Sequence, residues 1–352
     1  MERGVEMRVQ RIAEEGIAEI PSQYIQPLEN RPLIIVEKDC NNLIPEINLF
    51  GFDAEQKDSV REAIGEACRE WGVFHVTNHG VSMELMDQMR TAGLSFFRDY
   101  PFEEKLKYAC DPNSAASQGY GSKMLLNNEK GGVLDWRDYF DHHTLPLSRR
   151  DPSRWPHFPP CYSEVLGKYS DEMKVLAQKL LGLISESLGL SPSYIEDAIG
   201  DLYQNITISY YPPCPQPDLT LGLQSHSDMG AITLLIQDDI PGLQVFKDFQ
   251  WCTVQPLSHA ILVILSDQTE IITNGKYRSA QHRAVTNSSR PRLSVAAFHD
   301  PSKTVNISPA FELTSESSPS RYREVNYGDY VSSWYREGPE GKRNLDALLM
   351  DS

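Results

Sequence analysis

The chain has 352 residues, 40% of them hydrophobic and 23% charged, an ordinary composition for a soluble globular protein of one large domain or two smaller ones. Its 49 acidic and 33 basic side chains give a formal net charge of −16, which argues against general affinity for nucleic acid or anionic membranes. We therefore expect the partner of this protein to be a small molecule.

Residues 1–44 predict a short helix and then an irregular arm, which is interrupted by Pro21, Pro27 and Pro32. This region lacks the apolar stretch of a secretory signal, and no segment of the chain reaches the roughly 18 consecutive apolar residues of a membrane span. We expect a cytoplasmic monomer. The six cysteines are scattered without CxxC spacing, which is typical of reduced packing residues and predicts neither a metal site nor a disulfide.

Helices dominate the pattern up to residue 200. Apolar residues recur at helical spacing from Asp53 to Trp71, and a strand at 71–81 follows, closed by a turn. Ser82 is placed to cap the next helix. The longest helix is predicted from about Ser163 to Leu188, and its apolar side indicates that it packs on a core.

Two further features complete the first half. Ser191 and Pro192 are typical of the cap and the first position of another helix. The segment 108–160 is rich in glycine and proline, so it predicts only short strands and loops, and loops of this length are often functional. His142 and His143 are adjacent in this segment and would point to opposite sides of an extended chain, so we interpret them as structural or pocket-lining.

After Asp201 the sequence changes to short segments rich in β-branched residues. Their spacing predicts an antiparallel sandwich or barrel, and hence a mixed α and β fold in which helices flank a double-sheet β core. The predicted regions are a mainly helical part at 1–200, the β core at 201–304, and an extension at 305–352 that packs on the core. The predicted strands are NITISYY (205–211), GAITLLIQD (230–238), GLQVFK (242–247), WCTVQP (251–256), AILVILSD (260–267), YRSAQHRAV (277–285) and RLSVAAFHD (292–300).

The segment SHSDMGAITLL (225–235) places His226 and Asp228 two positions apart, just before an apolar run. In an extended chain these side chains project from the same face. The pair could hold a metal, or it could be a surface ion pair on a loop, because short motifs are common by chance.

A third candidate ligand is His282, which lies 54 positions beyond Asp228 in a predicted strand. Two histidines and one carboxylate occupy one face of an iron coordination sphere and leave the other positions open, as in non-haem Fe(II) oxygenases. A structural zinc site would need a fourth ligand, and none is nearby in the sequence.

Arg292 and Ser294 follow on one face of the last predicted strand. A guanidinium can bind a carboxylate through two hydrogen bonds and a nearby hydroxyl can add a third, so these residues and the upstream Tyr211 would suit a dicarboxylate cosubstrate. The alternative for Arg292 alone is a solvated charge at a strand edge.

Together these segments resemble the plant-type 2-oxoglutarate- and iron(II)-dependent dioxygenases over nearly the whole chain. The N-terminal VQRIAEEGIAEIPSQYIQP is similar to the subgroup of anthocyanidin synthase, flavonol synthase and jasmonate-oxidising enzymes. The other matching segments are ACREWGVFHVTNHGV, QGYGS, YYPPCPQPDLTLGLQSHSD, PGLQVFKDFQWCTVQP, SDQTEIITNGKYRSAQHRAV and RLSVAAFHDP.

The resemblance implies a double-stranded β-helix, or jelly-roll, core with Fe(II) bound by His226, Asp228 and His282. It implies that 2-oxoglutarate is held by Arg292, Ser294 and Tyr211, that O₂ is the second cosubstrate, and that ascorbate is an activator. Ser209 is a further candidate contact, although relatives commonly have asparagine there and a hydroxyl reaches less far than an amide. Decarboxylation of 2-oxoglutarate to succinate would then be coupled to hydroxylation or desaturation of a substrate.

Five cavity positions are implied to contact that substrate. Relatives acting on carboxylated hormones or some flavonoids can carry Arg or Lys where this chain has Thr207, so a carboxylate substrate is less favoured here. Phe298 has an alternative as plain core. The five positions are Phe298, Asp300, Tyr139, Asp141 and Thr207.

The leading hypothesis is an oxygenase acting on a plant specialised metabolite, such as a flavonoid or another phenolic. The alternatives are a hormone-oxidising dioxygenase acting on jasmonate or a similar compound, an oxygenase of the same fold that does not use 2-oxoglutarate, and a small-molecule-binding relative without turnover.

Overall fold

The computed structural model describes residues 8–32, 44–51, 57–111, 118–122, 132–338 and 341–350. Cys40 and the first residues of the helix predicted from Asp53 lie outside these ranges. The other five cysteines are free; Cys68, Cys214 and Cys252 are buried, whereas Cys161 is exposed and is therefore not a packing residue. No helix of the described part of the chain is long and apolar enough to cross a membrane.

The helices follow the predicted apolar patterns closely. Ser82 caps its helix as predicted, because its Oγ accepts a hydrogen bond from Leu85 N. The helix expected to open at Ser191 begins later, at Tyr194, which corrects that prediction. The helices are α1 (Val9–Glu14), α2 (Lys57–Glu70), α3 (Met83–Arg98), α4 (Phe102–Leu106), α5 (Tyr162–Ser187), α6 (Tyr194–Ile199), α7 (Asp267–Ile272), α8 (Tyr327–Glu337) and α9 (Arg343–Asp346).

All seven predicted C-terminal strands are present, some of them shorter than predicted. The segment 108–160 holds a longer strand than the glycine and proline content suggested, Asp138–Leu145. The strands are β1 (Glu46–Asn48), β2 (Val73–Thr77), β3 (Gly119–Gly121), β4 (Asp138–Leu145), β5 (Tyr203–Tyr211), β6 (Leu223–His226), β7 (Ile232–Gln237), β8 (Leu243–Lys247), β9 (Gln250–Thr253), β10 (Ile261–Leu265), β11 (His282–Ala284), β12 (Arg292–Asp300), β13 (Asn306–Ile307) and β14 (Val325–Asn326).

The strands form two main sheets of a jelly roll, which confirms the predicted fold class. The large sheet has the order β1-β2-β10-β7-β12-β5-β4-β3, and the small sheet has the order β6-β11-β8-β9. The strands pair antiparallel except for β1 and β2. A short pair, β13 and β14, precedes α8.

Each face of the large sheet buries a different set of apolar side chains. One face packs against α2, α3 and α5 through the main hydrophobic core. The other face meets the small sheet, where Leu235 and Leu262 of the large sheet cluster with Leu243 and Val245 of the small one. The helices therefore stabilise the large sheet from outside and leave the space between the two sheets for a cavity.

Candidate active site

His226, Asp228 and His282 lie together between the two sheets. His226 ends β6 and His282 begins β11, and the antiparallel register places these two histidines opposite each other. Asp228 Oδ1 is 3.5 Å from His226 Nε2 and 3.7 Å from His282 Nε2. In the described part of the chain these three residues form the group of His, Cys, Asp or Glu side chains able to share a metal ion.

The hydrogen bonds around the three side chains orient them toward a common point. Nδ1 of His226 is 2.8 Å from the carbonyl oxygen of Gln224, and Nδ1 of His282 is 2.9 Å from that of Ala280. A carbonyl can only accept, so each Nδ1 carries the proton and each Nε2 is left with a lone pair for a metal. This arrangement fits a divalent iron ion with open positions.

The electrostatics of the site favour an ionised Asp228 beside a neutral His282. Burial opposes ionisation of Asp228, but His282 and His226 outweigh it and lower its pKa to about 2. Burial and the neighbouring His226 lower the pKa of His282 to about 4. Near pH 7 these are the protonation states in which the two side chains bind a cation.

Successive rows of side chains from β4, β5, β12 and β7 form the floor of the cavity. Every second residue of each strand faces inward, so the rows follow the strand register. From one end to the other the rows are Tyr211–Arg292, then Tyr139–Ser209–Ser294, then Asp141–Thr207–Ala296–Leu235, then His143–Asn205–Phe298–Thr233, and finally Tyr203–Asp300.

The first row is suited to an anionic ligand. Arg292 is buried, its guanidinium lies 4.9 Å from the ring centre of Tyr211, and its Nη2 donates to Gln237 Oε1 at 2.6 Å. Its Nε and Nη1 are buried without a hydrogen-bond partner among the described residues. Because unsatisfied buried donors are costly, this guanidinium fits the distal carboxylate of 2-oxoglutarate, with Ser294 one row nearer the metal-binding side chains.

Four of the predicted substrate positions lie farther along the same floor, whereas Tyr139 shares the row of Ser209 and Ser294. Phe298 and Asp300 are partly exposed to the cavity, and Asp141 accepts a hydrogen bond of 2.7 Å from Thr207 Oγ1. Phe298 shares its row with Thr233, whose hydroxyl contacts Asp228, so it lies close to the group of His226, Asp228 and His282. The structure therefore brings all five predicted substrate positions into one cavity.

The far end of the cavity is acidic. Burial raises the pKa of Asp141 to about 6, although the bond from Thr207 lowers it. Burial also raises the pKa of Asp300 to about 7, and the nearby Asp228 adds to this effect. Arg149 lines this end as well, with its guanidinium 4.9 Å from the ring centre of Tyr203.

The two adjacent histidines have separate environments, as predicted. His142 is fully buried, with Nδ1 2.7 Å from the carbonyl oxygen of Ile206 and Nε2 3.0 Å from the hydroxyl of Tyr162. His143 faces the cavity and lies 3.8 Å from Asp141 Oδ2.

Several cavity residues were not found from the sequence. Asp135 and Arg137 lie just before β4, four and two positions ahead of Tyr139, so they face the same side as Tyr139. A prediction of β4 from the sequence would have placed them in the cavity. The aromatic side chains of α8, including Trp334 and Tyr335, close the cavity from the C-terminal extension. The helical spacing of Tyr327, Tyr330 and Trp334 is visible in the sequence, but it does not distinguish packing from pocket closure.

Comparisons with known proteins agree with this geometry. A family profile described as the 2OG-Fe(II) oxygenase superfamily matches residues 203–301, and one described as non-haem dioxygenase in morphine synthesis N-terminal matches residues 44–160. The chain is 38% identical to jasmonate-induced oxygenase 4 of Arabidopsis thaliana, over 97% of this chain and 96% of that protein. It is also 38% identical to leucoanthocyanidin dioxygenase of Malus domestica, over 93% and 94%.

A solved structure shares the whole architecture. The crystal structure of JOX2 in complex with 2OG, Fe and JA superposes with a TM-score of 0.90 and 38% sequence identity, and covers 99% of each chain. The chain described here belongs to the 2OG-Fe(II) oxygenase superfamily. Within it, the chain is a plant-type 2-oxoglutarate- and Fe(II)-dependent dioxygenase, which confirms the family predicted from the sequence.

When bound, Fe(II) and 2-oxoglutarate supply the activation of O₂ coupled to formation of succinate and CO₂. The side chains of this protein bind and orient those groups. The apolar residues of the small sheet and the aromatic residues of α8 exclude water from the same space.

Proposed function

We propose that His226, Asp228 and His282 bind Fe(II), and that Arg292, Ser294 and Tyr211 bind the distal carboxylate of 2-oxoglutarate. The observation that carries this proposal is the convergence of two imidazole Nε2 atoms on one carboxylate oxygen, in the same cavity as a buried guanidinium that has unused donors. Ser209 lines the cavity one row from Arg292 and takes part in cosubstrate binding.

The substrate that fits the far end of the cavity is a hydroxylated aromatic compound, such as a flavonoid or another phenolic, which the enzyme hydroxylates or desaturates. Asp141 and Asp300 can accept hydrogen bonds from substrate hydroxyls, and Phe298, Tyr335 and Trp334 offer apolar surface. The similarity to leucoanthocyanidin dioxygenase, and to flavanone 3-dioxygenase 2 of Oryza sativa at 39% identity, supports this class.

A jasmonate-like carboxylate is the second candidate, because jasmonate-induced oxygenases are equally similar to this chain. Such a substrate would bring an anion toward Asp141 and Asp300, with Arg149 as a cation in the same part of the cavity. Thr207 is neutral and is bonded to Asp141, so it offers no charge to a carboxylate. These contacts favour the phenolic class.

The test is succinate formation from 2-oxo[¹⁴C]glutarate by the purified protein with Fe(II), O₂ and ascorbate, in the presence of a panel of phenolics and of jasmonic acid. Substrate-stimulated turnover by the wild type that is lost in Asp228→Ala supports the oxygenase, and the stimulating compound identifies the class. Tight binding of a panel compound without any succinate would instead favour the binding protein without turnover.

We also propose that the protein is a cytoplasmic monomer, consistent with its net charge of −16. The division into regions 1–200, 201–304 and 305–352 remains part of this proposal, and the match of the superfamily profile to residues 203–301 supports the middle region. Light scattering coupled to gel filtration tests the mass, and limited proteolysis tests the boundaries.

A further inference from the structure

A second buried arginine lies in the cavity, on the other side of Tyr211 from Arg292. Arg137 is 3% exposed and directly precedes β4, whose first residue, Asp138, pairs with Tyr210. The strand register therefore places Arg137 beside the first row of the cavity floor, next to the row that holds Ser209.

The guanidinium of Arg137 is directed toward that second row. Its Nη1 donates to Ser209 Oγ at 3.1 Å, and its Cζ lies 5.4 Å from the ring centre of Tyr139. Ser209 offers only a short hydroxyl at this point of the cavity floor. The long side chain of Arg137 thus adds a charged donor beside that hydroxyl.

Arg137 is also connected to the strand that carries His226. Burial raises the pKa of Asp135. The charge of Arg137 is the largest of the effects that lower this pKa. Asp135 accepts a hydrogen bond of 3.0 Å from Gln224 N, and the carbonyl of Gln224 in turn accepts from Nδ1 of His226. Arg137 is therefore linked through Asp135 and Gln224 to the strand that carries His226.

We propose that Arg137 binds the carboxylate of 2-oxoglutarate that is bonded to the keto carbon, while Arg292 binds the distal carboxylate. This inference rests on the proposed function. 2-Oxoglutarate is a dianion whose two carboxylates are separated by three carbons, and the cavity places one buried guanidinium at its end and a second one row nearer the metal-binding side chains. Two separate cations match two separate anions, which lowers the cost of burying each of them.

The test compares two keto acids that share one carboxylate and differ in the other. 2-Oxoglutarate and 2-oxobutyrate are titrated anaerobically into the Fe(II)-loaded enzyme, and binding is read from the visible charge-transfer absorption of the keto acid complex. Arg137→Met should lower the affinity of the enzyme for both acids about 10-fold or more, because each acid loses a charge-assisted hydrogen bond. Arg292→Met should lower the affinity for 2-oxoglutarate only, because 2-oxobutyrate has no distal carboxylate.

A second variant separates cosubstrate binding from a structural role. Arg137→Met combined with Ser209→Asn should recover much of the affinity for both acids, because an asparagine amide reaches farther than the serine hydroxyl. The assignment would be overturned if Arg137→Met lowered the affinity for 2-oxoglutarate alone, or if it lowered the affinity for neither acid. A general loss of affinity that the double variant does not recover would also overturn it, and a wild type that binds no 2-oxoglutarate would overturn the proposed function as well.

Discussion

Thr233 Oγ1 donates a hydrogen bond of 2.6 Å to Asp228 Oδ2 and so leaves Oδ1 turned toward the two histidines. Thr233 is on β7 of the large sheet, whereas His226 and His282 are on the small sheet. The hydroxyl therefore fixes the carboxylate from the opposite wall of the cavity. Partners of this kind set the orientation of metal ligands in many sites.

We predict that Thr233→Val lowers Fe(II) affinity about 10–100-fold, the usual effect of losing such a partner. Valine keeps the shape of the side chain, so the metal-free protein should still fold, with a free energy of unfolding lower by about 1–3 kcal/mol for the lost hydrogen bond to a buried carboxylate. Thr233→Ser is the matched control, because it keeps the hydroxyl. Competition with a chelator of known affinity measures the effect, and equal affinities for wild type and the valine variant would contradict the prediction.

Asp141 should make the free energy of unfolding fall as the pH rises. An ion-paired carboxylate has the opposite effect. Burial raises its pKa from the ordinary 3.8 to about 6, so between these values the folded protein keeps a proton that the unfolded chain releases. Its contribution to stability is complete below about pH 4 and is lost as the pH rises through 6. The side chain is 19% exposed, and the full effect is at most about 3 kcal/mol.

Asp141→Asn removes this cost while keeping an acceptor for Thr207. Urea unfolding should therefore show the variant more stable than the wild type at pH 7.5 and no more stable at pH 4.5. The exposed Asp99→Asn is the control, because its surroundings do not change on folding in this way. A variant that is less stable than the wild type at pH 7.5 would show that the charged form of Asp141 is favoured in the folded protein.

The C-terminal extension pairs with the strand that carries His226. Gly341 N donates to Ser225 O at 3.0 Å, and Ser227 N donates to Gly341 O at 3.2 Å, so the extension pairs with the backbone on both sides of His226. The next residue, Lys342, forms an ion pair with the buried Glu270 and donates to Ser279 O at 3.1 Å. Ser279 is three residues before His282.

Lys342→Met should therefore lower the free energy of unfolding by about 3 kcal/mol, because it leaves the buried Glu270 without its cation. In the double variant Lys342→Met/Glu270→Gln the loss should be smaller, since no uncompensated charge remains. Urea unfolding curves of the single and double variants measure this difference. If the double variant loses as much free energy of unfolding as Lys342→Met or more, the ion pair is not the source of the stability.

How far the sequence could be interpreted depended on which residues were buried. The C-terminal strands are short segments rich in β-branched residues between turn residues, so their positions could be predicted, and His226, Asp228, His282, Arg292 and Ser294 could be proposed from spacing. Strand β4 could not be predicted, since its inward positions are polar and its other face buries Asp138, His142 and Thr144. Arg137 was missed with it, and the contact between Gly341 and the His226 strand depends on folding of segments that are far apart in the sequence.

Phe298 is the position where the sequence left core packing and substrate contact both open. It is partly exposed to the cavity and lies in the row that contains Thr233, so we predict that Phe298→Ala lowers kcat/KM for an aromatic substrate about 10-fold or more. The affinity for 2-oxoglutarate should stay within about twofold, because Arg292 is three rows away.

Phe298→Leu keeps apolar volume without the ring and should give an intermediate value of kcat/KM. A core phenylalanine would instead cost about 3–5 kcal/mol of stability on truncation, so a large drop in the urea unfolding midpoint with unchanged kcat/KM would contradict the contact.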